Sequence, residues 1–129
     1  MASSSAGFHE SVDDLKPETF DRHRAIVSIM EELEAVDWYD QRVDAARDAE
    51  LAAILAHNRD EEKEHASMLL EWLRRRDAKL DEHLRNYLFI DESVLAKEKA
   101  LEHADAEEPV AGPADGSLGI GSLRAEPQR

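Results

Sequence analysis

Apolar positions recur at helical spacing in two long stretches of the chain. Between Pro17 and about Val43 neither glycine nor a further proline interrupts it. Pro17 suits a first helical turn, where its missing N–H would have no partner anyway, and Glu18 adds charge of the sign that a helix start favours. Ile29, Val36 and Val43 fall on one stripe, beside Ile26, Met30 and Leu33. This spacing predicts one helix of roughly 25 residues, about 40 Å long. Residues 44–48 then read as a short turn, with Asp48 as N-cap of the next helix. That second helix, over 49–76, again lacks glycine and proline, and its stripe runs Leu51, Leu55, Asn58, Glu62, His65, Leu69, Trp72. Arg74, Arg75 and Arg76 close it with charge of the favoured sign.

Beyond the two long helices the pattern weakens. Residues 77–90 predict a shorter third helix with Leu80, Leu84, Tyr87 and Leu88 on one side, and residues 91–103 either extend it or form a weaker helix. Residues 1–14, rich in Ser and Ala and then acidic, read as a disordered leader. Residues 104–115 shift to Ala, Glu, Asp, Pro and Gly, the composition of a solvated linker. Residues 116–129 contain Gly-Ser-Leu twice, from Gly116 and Gly121. Apolar anchors in such a tail suggest a docking peptide. The expected class is all-α: an antiparallel two-helix hairpin plus a short C-terminal helix.

The polar residues inside the apolar stripes change the picture. Glu32 and Tyr39 interrupt the first stripe, and Glu62 and His65 the second. A carboxylate on an apolar face is costly unless something positive meets it. Glu62 and His65 stand three residues apart on a helix, so one carboxylate and one imidazole project from the same face. This Glu-x-x-His spacing is half of the ligand set of a di-iron carboxylate bundle, which needs two such pairs and a Glu from each of two further helices. The chain offers the pair once: of its six histidines only His65 has a Glu three residues before it. A hairpin also buries only one side of each helix. Two hairpins paired across a two-fold axis give a four-helix, ferritin-like bundle and double the ligands to four carboxylates and two imidazoles. Oxygen and imidazole donors suit iron or manganese better than soft metals.

Three further groups carry candidate chemistry beside a plain structural alternative. Glu31, Glu34 and Trp38 share another face of the first helix, an acidic uptake point for Fe²⁺ or simply a wet face with one exposed aromatic. His57, Glu61 and Glu64 share a face of the second, a weaker second cation site, for Ca or Zn, or a solvated surface. Tyr39 either hydrogen-bonds a ligand or serves as a redox-active neighbour, or packs with its hydroxyl satisfied. His9 lies in the leader, and His23, His83 and His103 lack acidic partners at helical spacing on an apolar face.

Composition narrows the function classes. The 129 residues suffice for one small domain, with 42% hydrophobic and 36% charged residues. A net charge of −14, from 30 acidic against 16 basic residues, argues against nucleic acid as a partner. It suits the attraction of cations. The absence of cysteine excludes disulfides and thiolate metal sites. No apolar run approaches the roughly 18 residues of a membrane span, and residues 1–7 lack a signal-peptide pattern, which makes the cytoplasm the expected location.

At this point the residues resemble a known family, the encapsulated ferritins. The resemblance lies in residues 22–44 (RHRAIVSIMEELEAVDWYDQRVD), 54–66 (ILAHNRDEEKEHA) and 70–75 (LEWLRR), and covers roughly residues 15–90. It implies a half-ferritin domain, here over 15–103. It implies a ferroxidase that oxidises Fe²⁺ to Fe³⁺ with O₂ and holds no mineral itself, the mineral lying inside an encapsulin nanocompartment. Family members form a decamer of five dimers, with the di-iron site between two subunits. The family's ligands fall on Glu32, Glu62 and His65, with Glu62 bridging the irons. Its uptake residues fall on Glu31 and Glu34 beside Trp38, its second-layer tyrosine on Tyr39, and its further metal site on His57, Glu61 and Glu64. The tail, in its Gly-Ser-Leu-Gly and Gly-Ser-Leu-Arg units, is similar to the peptide by which cargo binds an encapsulin shell. Two other readings fit the same residues: a non-catalytic acidic helical adaptor with adventitious Zn²⁺ or Ca²⁺, and a di-iron peroxidase or O₂ sensor.

Overall fold

The structure, a computed structural model, describes residues 7–107. Four α-helices make up its regular structure: α1 (Pro17–Ala45), α2 (Ala49–Arg76), α3 (Ala78–Tyr87) and α4 (Val94–Glu107). No strand occurs among the described residues. Helices α1 and α2 form the antiparallel hairpin that the stripes predict, joined by residues 46–48. Pro17 occupies the first turn of α1. The Asp48 carboxylate accepts the Leu51 N–H at 2.8 Å and so starts α2. Asp77 does the same for α3 by accepting from Leu80 N–H at 2.9 Å.

The apolar interior of this hairpin is thin. Ala25, Ala66 and Leu73 are its buried residues, and two of the three are alanines. Ile26, Met30, Leu33, Leu51, Ile54 and Met68 are exposed instead. Alanines at the crossing let the two backbones approach but remove little apolar surface from water. The hairpin therefore leaves much apolar surface open to its surroundings, with each of those exposed residues keeping about half of its own.

Polar contacts supplement the packing. Arg74 at the end of α2 holds Glu71 through two hydrogen bonds of 2.7 Å and also meets Asp81 of α3. The Glu71 carboxyl is pushed down to about 2 by Arg74 and Arg75. The Arg76 guanidinium stacks on Trp72, 4.1 Å from the ring centre.

Three regions differ from the sequence expectation. Within the expected leader, residues 12–14 form a 3-10 turn whose start is capped by Ser11. Phe8 reaches back onto α1, edge-on to Phe20 at 5.4 Å and against the His23 ring at 4.5 Å. One aromatic in a polar segment suffices to dock it on the ring face that α1 offers. Next, α3 stops at Tyr87 rather than Ile90, because Phe89 takes a left-handed backbone (φ 59°). Residues 94–107 then form a separate helix that runs past 103 into the expected linker, starting where Ser93 Oγ accepts from Ala96 N–H. The chain divides into two compact units between Arg85 and Asn86. The span 15–103, expected as one helical domain, is divided at that point. The rest of the expected linker, the tail 116–129 and residues 1–6 lie outside the described residues.

Candidate metal centre

The two interrupted stripes meet across the hairpin. Glu32 comes from the middle of α1, and Glu62 and His65 from successive turns of α2. Glu62 Oε2 lies 3.2 Å from His65 Nδ1, and Glu32 Oε2 lies 3.8 Å from the same nitrogen. One donor atom from each of the three residues falls within 4.8 Å of the others, and no second such group occurs among the described residues. The Glu32 and Glu62 side chains keep about a quarter of their surface, 25% and 23%, and His65 keeps 43%. The site is thus open enough to admit an ion and closed enough to weaken its hydration.

Electrostatics within the cluster tie the three groups together. A hydrogen bond with Glu62 raises the Glu32 carboxyl above its ordinary range, aided by partial burial and by the negative charge of Glu62. The same bond lowers Glu62, with the His65 ring as a second cause. Glu62 in turn raises His65 above 6.5, chiefly by accepting its N–H. In the absence of a cation, the Glu32–Glu62 contact favours the protonated form of Glu32, and the contact with Glu62 favours the protonated imidazole of His65. Such a set exchanges protons for metal. Two carboxylates and an imidazole fit a hard or borderline divalent cation, iron or manganese included. Three donors do not complete the octahedral shell such ions prefer, so the cluster on its own is an unfinished site.

An open groove leads away from the cluster between the helices. Asp21, Arg24, Ala25 and Ser28 of α1 and His65, Met68, Leu69 and Trp72 of α2 line it, the first two as an exposed ion pair. His65 therefore borders a groove with apolar side chains from α2 and an ion pair from α1, as well as being a ligand candidate.

The other expected residues are placed as follows. Glu31, Glu34 and Trp38 lie exposed on α1, and Glu31 reaches the cluster only through its charge, which helps to raise Glu32. Tyr39 is half-buried, and the Arg42 guanidinium lies 5.3 Å from its ring centre and 5.9 Å from that of Trp38. His57 Nε2 stands 3.3 Å from Glu61 Oε1, both exposed. Glu64 lines a different groove, with Ser67, Met68 and Trp72, and does not join them in a three-donor group. Arg42 was not singled out from the sequence, although its spacing from Trp38 and Tyr39 is legible as one helical turn. Asp40 and Arg59, which connect the two helices beside the cluster, carry no local signal: their contact depends on how α1 and α2 align. No described helix is long and apolar enough to cross a membrane.

Comparison with known proteins places these features in a family. The EncFtn-like family model matches residues 7–91. The encapsulated ferritin-like protein of Rhodospirillum rubrum is 63% identical over 131 residues, spanning 98% of this chain and 94% of that relative. The encapsulin nanocompartment cargo protein EncC of Myxococcus xanthus is 32% identical over 125 residues, covering 91% of this chain and 95% of its own. Among solved structures, the crystal structure of protein ne0167 from Nitrosomonas europaea is 61% identical. It superposes with a TM-score of 0.66 and covers 67% of this chain and 96% of that one.

Proposed function

Because the chain belongs to the EncFtn-like family, as the resemblance of residues 22–44, 54–66 and 70–75 led us to expect, we propose that it is a ferroxidase acting inside an encapsulin nanocompartment. Its substrates are Fe²⁺ and O₂, and its product is Fe³⁺ for mineral storage in the shell. The observation that carries this reading is the meeting of Glu32, Glu62 and His65 on a partly shielded face. Three donors are too few for one six-coordinate ion. A second copy across a two-fold axis supplies the same three and makes a centre for two ions. The exposed apolar residues of the hairpin, Met68 in the groove beside His65 among them, support association of that kind. The dimer is the functional unit, assembled further into the decamer of five dimers that the resemblance implies.

In this centre the chain's own residues have distinct tasks. Glu62, in contact with Glu32 and His65, would bridge the two ions, the role that the resemblance implies. Glu32 and His65 would complete the donor set around the ions, with the imidazole binding in its neutral form. Iron supplies the redox chemistry by passing electrons to O₂. The carboxylates neutralise charge on the product, and Glu31 and Glu34 beside Trp38 attract the incoming cation. Tyr39 is a neighbour of the reacting ions, and His57, Glu61 and Glu64 offer a weaker cation site, for calcium or zinc. The tail 116–129 is the segment that binds the shell, which puts the protein within a prokaryotic cytoplasm in that compartment. The name of the Myxococcus relative, a nanocompartment cargo protein, supports this partner.

The test is to bind Fe²⁺ without oxygen, admit air, and follow Fe³⁺ absorbance beside a protein-free control. Rapid O₂-dependent oxidation that fails in Glu62→Ala supports the enzyme. A rate equal to the control in the wild type leaves the non-catalytic adaptor as the better reading.

A further inference from the structure

A metal cluster assembled from two helices requires that those helices keep their alignment along their length. The rise is about 1.5 Å per residue, so even a small slide of α1 along α2 separates Glu32 from Glu62 and His65. Buried apolar side chains resist such a slide at one end only. Ala25, Ala66 and Leu73 are buried. In the antiparallel hairpin they lie level with the cluster or on its side away from residues 46–48. Between the cluster and that turn the described residues of both helices include no buried side chain, only half-buried ones such as Val36, Val43 and Leu55.

Besides these half-buried side chains, an ion pair bridges the helices in this half. Arg59 Nη1 donates to Asp40 Oδ1 at 3.0 Å, across the hairpin. Arg59 Nε donates to Asp60 on its own helix at 3.1 Å, and Lys63 Nζ reaches the same Asp60 oxygen at 3.4 Å. The guanidinium is thereby fixed at two edges, and its side chain retains 24% of its surface while Asp40 retains 54%. A planar fork held by one carboxylate and aimed at another is more directional than a lone exposed pair. Arg59 stands one helical turn before Glu62 on α2. It does not figure among the groups that perturb Glu62.

We infer that the Arg59–Asp40 bridge is a positioning clasp, which sets the alignment of α1 and α2 so that Glu32, Glu62 and His65 converge on a metal ion. The inference rests on the cluster being the iron site. Arg59 touches neither ion nor ligand, and its effect passes through backbone alignment alone. Its loss moves metal affinity more than it moves folding.

The test is a double-mutant cycle in the full-length protein with Fe²⁺ binding followed by anaerobic calorimetry, and with thermal unfolding of the metal-free protein beside it. Arg59→Gln and Asp40→Asn each weaken binding about tenfold, the range in which outer-layer partners act. The double variant is no weaker than either single one, because both remove the same contact. Arg59→Lys, which keeps the charge but not the fork, recovers part of the loss. Unfolding temperatures stay within the change produced by Arg85→Gln, which removes an exposed ion pair in α3. Unchanged affinity, fully additive losses, or a loss matched by unfolding beyond that control overturns the clasp. Should Arg59→Gln not fold, Asp40→Asn alone decides by the same criteria. A wild type that binds no Fe²⁺ overturns the iron site and the clasp together. A wild type that binds, with variants that bind equally well, overturns only the clasp.

Discussion

Glu32 Oε2 on α1 and His65 Nδ1 on α2 lie 3.8 Å apart, although the chain between them runs to the end of one helix and halfway back along the other. Glu62 stands at 3.2 Å from the same nitrogen. Each of the three is thus part of a contact made by its neighbours, and an ion shared among them is expected to need all three. Glu32→Ala, Glu62→Ala and His65→Ala are expected to lower O₂-dependent Fe²⁺ oxidation by more than about tenfold each. The double variant Glu32→Ala/Glu62→Ala is expected to be little worse than the worse single one, because residues acting as a unit are not additive. Initial rates of Fe³⁺ absorbance check this. Full activity in any single variant removes that residue from the centre.

The raised values of Glu32 and His65 and the lowered value of Glu62 give the protein opposite pH slopes with and without metal. His65 is held above 6.5 by Glu62. Its contribution to folding is complete below 6.5 and is lost as pH rises through its raised value. Glu32, also raised, contributes in the same sense around a lower value: fully below 4.5, and lost as pH rises through its folded value. Glu62, lowered, contributes above 4.5 and loses that contribution as pH falls. Over the window beginning at 6.5, the chelator-treated protein therefore loses stability as pH rises. Metal binding displaces the His65 proton, so affinity increases over the same window. Thermal unfolding with chelator and with Fe²⁺ under argon, at pH steps from about 6 to 8, is expected to give slopes of opposite sign, and His65→Ala to flatten both in this window.

Much of this arrangement was legible in the sequence because it depends on local rules. Pro17 and Asp48 mark helix starts by the donors they lack or satisfy. Glu32, Glu62 and His65 announce themselves by standing where apolar residues belong. The alignment of α1 against α2 was not legible, so the Arg59–Asp40 bridge was not either: neither residue departs from its surroundings until the other helix is beside it. Phe89 is the converse case. Its left-handed backbone is a conformation that bulky residues avoid, so nothing in its identity predicted the end of α3. Phe8 was passed over because its segment reads as polar, yet one ring was enough to anchor it to Phe20 and His23.

The groove beside His65 yields a prediction about assembly. Met68 stands one turn beyond His65, exposed, in a surface shared with Leu69 and Trp72. A charge placed there opposes close approach of a second apolar surface, since burying it unpaired costs several kcal/mol. Met68→Asp is expected to shift native mass toward the monomer and to weaken Fe²⁺ binding in parallel, whereas Met68→Leu leaves both near wild type. Native mass spectrometry with calorimetry on the same samples checks the coupling. Met68→Asp with unchanged mass and unchanged binding places the partner copy on another face.

The last prediction separates chemistry from address. The donor residues lie within α1 and α2, while the two Gly-Ser-Leu units lie in residues 116–129. A short peptide with apolar anchors binds through its own side chains and needs little from the domain it is tethered to. Deleting 116–129 is therefore expected to leave the Fe²⁺ oxidation rate of the free protein unchanged within error. The same deletion is expected to abolish co-purification with a co-expressed encapsulin shell. Replacing Leu118 and Leu123 by Ser in the full-length chain is expected to reproduce the loss of loading, because the leucines are the apolar anchors of the two units. Normal loading of the truncated protein assigns the shell contact to the helical region instead, and oxidation lost together with the tail ties the two roles to one surface.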